Sequence, residues 1–92
     1  MASMTLELGS VYATPGALQA LADAGETIDL YLARHLNGDW GEVAAEDRDE
    51  NQLSLEQGFR ILSAYTLPTG VKIWIITEAD RSATTVLLPE EY

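Results

Sequence analysis

An α+β domain is the fold this sequence predicts: an N-terminal helical hairpin plus a third short helix, then a three-stranded antiparallel β-meander. Three observations predict it. Apolar residues recur at helical spacing as far as Leu36, the period becomes strand-like from Phe59, and capping and turn residues stand at the junctions. Runs of helix followed by runs of strand describe an α+β arrangement rather than alternating βαβ units.

The first helix is spelled out completely by Thr14-Pro-Gly-Ala-Leu-Gln-Ala-Leu-Ala-Asp-Ala-Gly25. Thr14 can cap the free N–H groups, Pro15 suits the first helical position, and Gly25 suits a left-handed stop. Leu18, Leu21 and Ala22 share one face. A second helix runs from Thr27 to about Asn37, with Ile28, Tyr31, Leu32, His35 and Leu36 at helical spacing, and Asn37-Gly38 ends it. A third, solvated helix is expected over Ala45–Gln57 with Gly58 as its stop. Its apolar content is thin, and acids in its first turn suit the positive end of a helix dipole.

Strands are expected over Phe59–Thr66, Val71–Thr77 and Ser82–Leu88. Pro68 and Gly70 stand where a four-residue hairpin connection wants them, and Glu78-Ala-Asp-Arg81 makes the second reversal. In the middle strand Val71, Ile73, Ile75 and Thr77 face one way, and Lys72, Trp74 and Ile76 the other. Both faces are apolar, so one should meet the helices while the other is partly covered or offered to a partner.

Ninety-two residues suit one domain. We assign residues 9–92 to it and expect residues 1–8 to form a flexible N-terminus, of which Met1-Ala-Ser-Met-Thr5 looks like the start of a common expression leader. The chain has no cysteine, no basic, apolar leader and no apolar run approaching the ~20 residues that cross a bilayer. A cytoplasmic protein without disulfides or membrane contact is the expectation.

Charge is the strongest global signal. Fifteen acids against five Lys and Arg give a net charge of −10. Such a chain repels nucleic acid over most of its surface, because affinity for nucleic acid comes largely from Lys and Arg displacing counterions. It favours basic protein partners, with solubility alone as the competing explanation. Seven of the acids lie in Asp39 and Glu42–Gln57.

Motifs that carry chemistry are few. With one histidine and no cysteine a structural zinc site has no ligand set, and Asp47-Arg-Asp-Glu50 lacks the spacing and central glycine of a calcium loop. Neither metal nor cofactor is expected. Phosphate-binding, dinucleotide-binding and serine-hydrolase signatures are absent from the sequence. Asp39-Trp40, between Gly38 and Gly41, reads as an aromatic tucked onto the hairpin or as an exposed interface anchor. Arg60, Lys72, Thr77, Glu78, Arg81 and Thr84 form the polar constellation of the sheet. A metal-independent ribonuclease needs a base, an acid and a cation. His35 or Glu78 with Arg60 or Arg81 could fill those roles, provided Arg81, Arg60 and His35 point into one pocket. Otherwise Asp80 and Arg81 pair within the turn and Glu78 is solvated.

The stretches from Ala33-Arg-His-Leu-Asn-Gly-Asp-Trp-Gly41 and from Ile61 to Tyr92, which includes Trp74-Ile-Ile-Thr-Glu-Ala-Asp-Arg-Ser82, resemble a group of short proteins of bacterial plasmids and integrating elements. Some of that group carry a type I restriction label. The likeness covers roughly residues 9–92 and implies a mobile-element setting, with no catalytic residue to carry over. The order of helices then meander is also similar to that of small toxins that cleave messenger RNA, although those are basic. The function expected is therefore a small acidic interaction protein that binds and modulates a basic, nucleic-acid-handling protein. Asp39, Trp40, Glu46, Asp47, Asp49 and Glu50 would carry the contact. A toxin-type nuclease and a dimerising or structural module whose open sheet face pairs with itself are the alternatives.

Overall fold

The computed structural model describes residues 6–92, so the leader-like Met1–Thr5 lies outside the described residues. Four strands and three helices follow in the order β1 (Ser10–Ala13), α1 (Pro15–Ala24), α2 (Ile28–Leu36), α3 (Ala45–Gln57), β2 (Ile61–Thr66), β3 (Lys72–Thr77) and β4 (Ala83–Leu87), with a final 3-10 turn over Pro89–Glu91. The α+β class stands, and all three helices fall where capping and periodicity put them.

The sheet corrects the expectation. It has four strands in the order β1-β4-β3-β2, mixed rather than purely antiparallel. β2, β3 and β4 form the expected meander, with Ser63 opposite Ile75 and Ile76 opposite Thr85. β1 adds to it parallel to β4, Val11 opposite Thr84. Four residues with no alternation of polarity gave no strand signal, and the pairing joins the two ends of the chain. Gly9 makes the approach possible. It has φ +64°, and a Cβ there would overlap the carbonyls of Arg81 and Ser82.

Local chemistry explains the helices. The Thr14 hydroxyl accepts a bond from the Ala17 N–H at 3.1 Å and donates to Glu91 at 2.6 Å, so one residue starts α1 and ties down the last turn. Gly25 and Gly58 end α1 and α3 in the left-handed conformation. α1 and α2 cover one sheet face, where Ala17, Leu21, Tyr31, Tyr65, Leu67, Ile73, Ile75 and Val86 form the main core. A second cluster of Leu6, Trp40, Val43 and Ile61 fills the end nearest α3. Leu6, within the stretch expected to be flexible, is part of that core, and Leu8 packs beside it.

The opposite sheet face is partly covered by the chain's own end. Tyr92 meets Trp74 edge-on with ring centroids 5.7 Å apart, and the Arg60 guanidinium lies 5.6 Å from the Tyr92 ring centre. Beneath this cover Ile76 and Leu87 are buried.

Candidate functional site

A chain of buried hydroxyls and one imidazole crosses the core. His35 Nδ1 lies 2.5 Å from Ser63 Oγ, and its Nε2 lies 2.9 Å from Thr77 Oγ1. Thr77 Oγ1 lies 2.8 Å from Thr84 Oγ1, which donates to the Leu8 carbonyl at 2.7 Å. The direction of every proton follows from the end of the chain. Thr84 has one hydroxyl hydrogen and gives it to Leu8, so Thr77 must donate to Thr84. Thr77 then accepts from His35, which places the imidazole hydrogen on Nε2 and leaves Nδ1 to accept from Ser63. Burial pushes the His35 pKa down to about 4, so the ring is neutral at pH 7. Among the described residues no buried side-chain polar atom lacks a partner. His35 is thus a satisfied core group fastening α2 to three strands, sealed from solvent and from the acids.

The other residues of the suggested nuclease set belong to different systems. Arg81 has φ 61°, unusual for a residue with a Cβ, and its guanidinium donates to the carbonyls of Ser54 at 2.9 Å and Phe59 at 2.7 Å. It clamps the end of α3 to the turn before β4. Asp80 does not pair with it but accepts from the Ser82 N–H at 3.0 Å. Arg60 donates to Tyr92 Oη at 2.5 Å and stands 3.7 Å from Glu78 across the exposed sheet face. His35, Arg60 and Arg81 therefore do not converge, and the condition set for the nuclease reading is not met.

Trp40 is also placed differently from an interface anchor. It is 5% exposed and packs edge-on against His35 at 5.8 Å between ring centroids. Gly41 beside it has φ +72°, and a Cβ there would overlap the Ala64 carbonyl and the Tyr65 ring. That contact allows the Ala64 N–H to donate to the Trp40 carbonyl at 3.0 Å and the Glu42 N–H to donate to the Ala64 carbonyl at 2.7 Å. Asp39 is half-exposed but engaged with Arg34 at 2.7 Å, and its carbonyl accepts from Tyr65 Oη at 2.6 Å. Burial pushes the Tyr65 phenol up to about 12. Asp39 and Trp40 form a structural corner.

The acids of α3 are where the sequence put them. Glu46, Asp47, Asp49 and Glu50 are all exposed, on a helix whose inward residues are Asn51, Ser54 and Leu55. Asn51 holds α3 against the edge of β2. Its Nδ2 donates to the Leu62 carbonyl at 2.6 Å and its Oδ1 accepts from the Leu62 N–H at 3.1 Å, as a neighbouring strand would. The outer face of α3 has one apolar feature missed by sequence reasoning. Leu53, 48% exposed, stands one helical turn from Asp49, Glu50 and Glu56. With the 56% exposed Phe59 it lines an open groove of about 230 Å³ bounded by Glu50 and Arg60. An exposed Leu amid four acids was the available signal.

On the other side of α3 a cleft of about 200 Å³ is lined by Glu42, Asp47, Lys72 and Trp74 among others. The Thr66 hydroxyl and N–H, with Lys72 nearby, hold the Glu42 carboxylate below its ordinary range. Among the described residues no group of His, Asp and Glu is arranged to hold a metal ion, and no helix is long and apolar enough to cross a membrane. Comparison of the chain with known protein families, with curated proteins and with solved structures finds no match.

Proposed function

We propose that this protein is a small acidic interaction module that offers the outer face of α3 to a basic protein partner and so modulates it. One observation carries this reading. A helix fixed to the body at Asn51 and Arg81 presents Glu46, Asp49, Glu50 and Glu56 around the half-exposed Leu53, with Phe59 adjoining. A rigid acidic rim around an apolar centre suits a Lys- or Arg-rich surface bearing one apolar side chain. Rim charges raise the rate and selectivity of encounter, and the buried centre holds the complex. The resemblance of the Arg34–Gly41 and Trp74–Ser82 blocks to short plasmid-borne proteins supports a nucleic-acid-handling protein as that partner.

The test is affinity capture from a bacterial lysate at low salt, run in parallel with two variants. A basic protein should be retained by the native chain and released as salt rises. It should be lost from the variant with Glu46→Gln, Asp47→Asn, Asp49→Asn and Glu50→Gln. It should be weakened about tenfold or more by Leu53→Ala with Phe59→Ala. Equal retention by the fully folded neutralised variant would sink the proposal.

A further inference from the structure

The two edges of the sheet are treated in opposite ways. Along β2 the outward backbone groups of Leu62 are taken by Asn51 and those of Ala64 by Trp40 and Glu42. Along β1, Ser10 and Thr14 donate inward to Ser82 and Val86 at 3.0 Å each. Alternation then turns the N–H and C=O of Val11 and Ala13 outward, where no partner meets them among the described residues. Apart from its shortness, four residues, the strand carries none of the usual guards. It has no charged residue, no proline and no bulge, and Val11 and Tyr12 are 43% and 59% exposed.

We propose that β1 pairs with β1 of a second copy, antiparallel about a two-fold axis at Tyr12. This inference is independent of the acidic-helix reading. The outward groups sit only at Val11 and Ala13, so this register matches each Val11 to Ala13 of the second copy and closes four main-chain hydrogen bonds. Tyr12 meets Tyr12 of the second copy as the non-hydrogen-bonded pair, with Cα atoms about 4.5 Å apart and the rings side by side on one face. The pairing is self-complementary, and the occupied β2 edge stops it at two copies instead of an open filament. A dimer is the assembly that leaves neither edge open.

Charge opposes the contact only weakly. α3 and its acids flank β2, three strand spacings or about 14 Å from β1, so the two acidic helices lie at the far ends of the joined sheet. The nearer acids include Glu7, just before β1, Asp80, bonded to the Ser82 whose carbonyl accepts from Ser10, and Glu91, bonded to Thr14.

The experiment is sedimentation velocity over a wide concentration range, with cross-linking of the full chain. The native protein should shift from 10.0 kDa toward twice that mass as concentration rises, more readily at high salt because like-charge repulsion is screened. Val11→Pro removes an outward donor without touching the β4 ladder and should weaken the dimer by about tenfold or more. The chain has no cysteine, so Tyr12→Cys supplies a single thiol that should oxidise to a covalent dimer, whereas Thr69→Cys in the distant hairpin turn should not. Circular dichroism confirms that each variant is folded. A native chain that stays monomeric at about millimolar concentration, where even weak complexes form, or a dimer that keeps its affinity in folded Val11→Pro and leaves Tyr12→Cys uncross-linked, would overturn the proposal.

Discussion

His35 shows how much one buried side chain can decide. Its ring is held neutral in a single tautomer by a relay that ends on the Leu8 carbonyl. In the unfolded chain the imidazole takes a proton below about pH 6.5, whereas in the folded protein burial delays this to about pH 4. Between those values the unfolded state binds more protons, so stability is complete above the upper value and falls as pH drops. The loss should reach about 3 kcal/mol by pH 4. Replacing His35 by Ala should cost a similar amount at pH 7, through the cavity and the stranded Ser63 and Thr77 hydroxyls. Denaturant titration at several pH values checks both, since the variant should lose most of the native dependence between pH 6.5 and 4. A native chain equally stable at pH 7 and pH 4.5 would contradict the assignment. Only half of this site was legible. His35 was legible as one of the helically spaced residues of α2, in line with Ile28, Tyr31 and Leu32. Its partners were hidden because Ser63 read as an ordinary strand residue and Thr77 and Thr84 were grouped with Arg60, Lys72, Glu78 and Arg81, although Ser63 and Thr77 share the inward phase of Ile61, Tyr65, Ile73 and Ile75.

At the scale of elements, the helices were legible because their determinants are local. Thr14, Pro15, Gly25 and Gly58 act within a turn of where they stand, and the structure uses Thr14, Pro15, Gly25 and Gly58 as expected. β1 was not legible, because its only reason to be a strand is β4, some seventy residues away in Val11 with Thr84. The mode of attachment of α3 was equally hidden. This helix has little apolar surface, so its position depends on polar contacts: Asn51 on Leu62, and Arg81 on Ser54 and Phe59. Asn51→Ala should destabilise the protein by about 2 kcal/mol, because both backbone groups of Leu62 lose their partner. It should also raise the amide exchange rate of Leu62 well above that of Ser63, which is held in the β2–β3 ladder. Arg81→Ala leaves the positive φ in place and removes the clamp, so exchange should accelerate over the last turn of α3 first. Unchanged exchange at Leu62 in the Asn51 variant would mean that α3 is held some other way.

For the molecule as a whole, the net charge of −10 works against folding, whereas the binding role proposed for α3 would make use of it. Among the described residues two ion pairs are seen, Arg34 with Asp39 and Arg60 with Glu78, so most acids face solvent without a cation at contact distance. Folding gathers them, and their repulsion lowers stability at low ionic strength. The acids of α3 contribute unequally. Glu46 and Asp47 lie in the first turn, where the helix dipole offsets some of the repulsion, whereas Glu56 lies in the last turn at the negative end, which has no basic residue. Raising salt from about 10 mM to about 0.5 M should therefore raise the melting temperature by several degrees, since screening is worth on the order of 1 kcal/mol in a domain of this size. Asp49→Asn, Glu50→Gln and Glu56→Gln together should give much of that gain at low salt and leave little for salt to add. Residues that weaken the fold yet surround Leu53 on a rigid helix are what a surface kept for binding would contain. The decisive comparison is made on one triple variant by two readings, thermal melting and partner capture. A more stable protein that no longer retains a basic partner fits an acidic binding face. One that gains stability and binds as before would leave the α3 acids with no part in recognition.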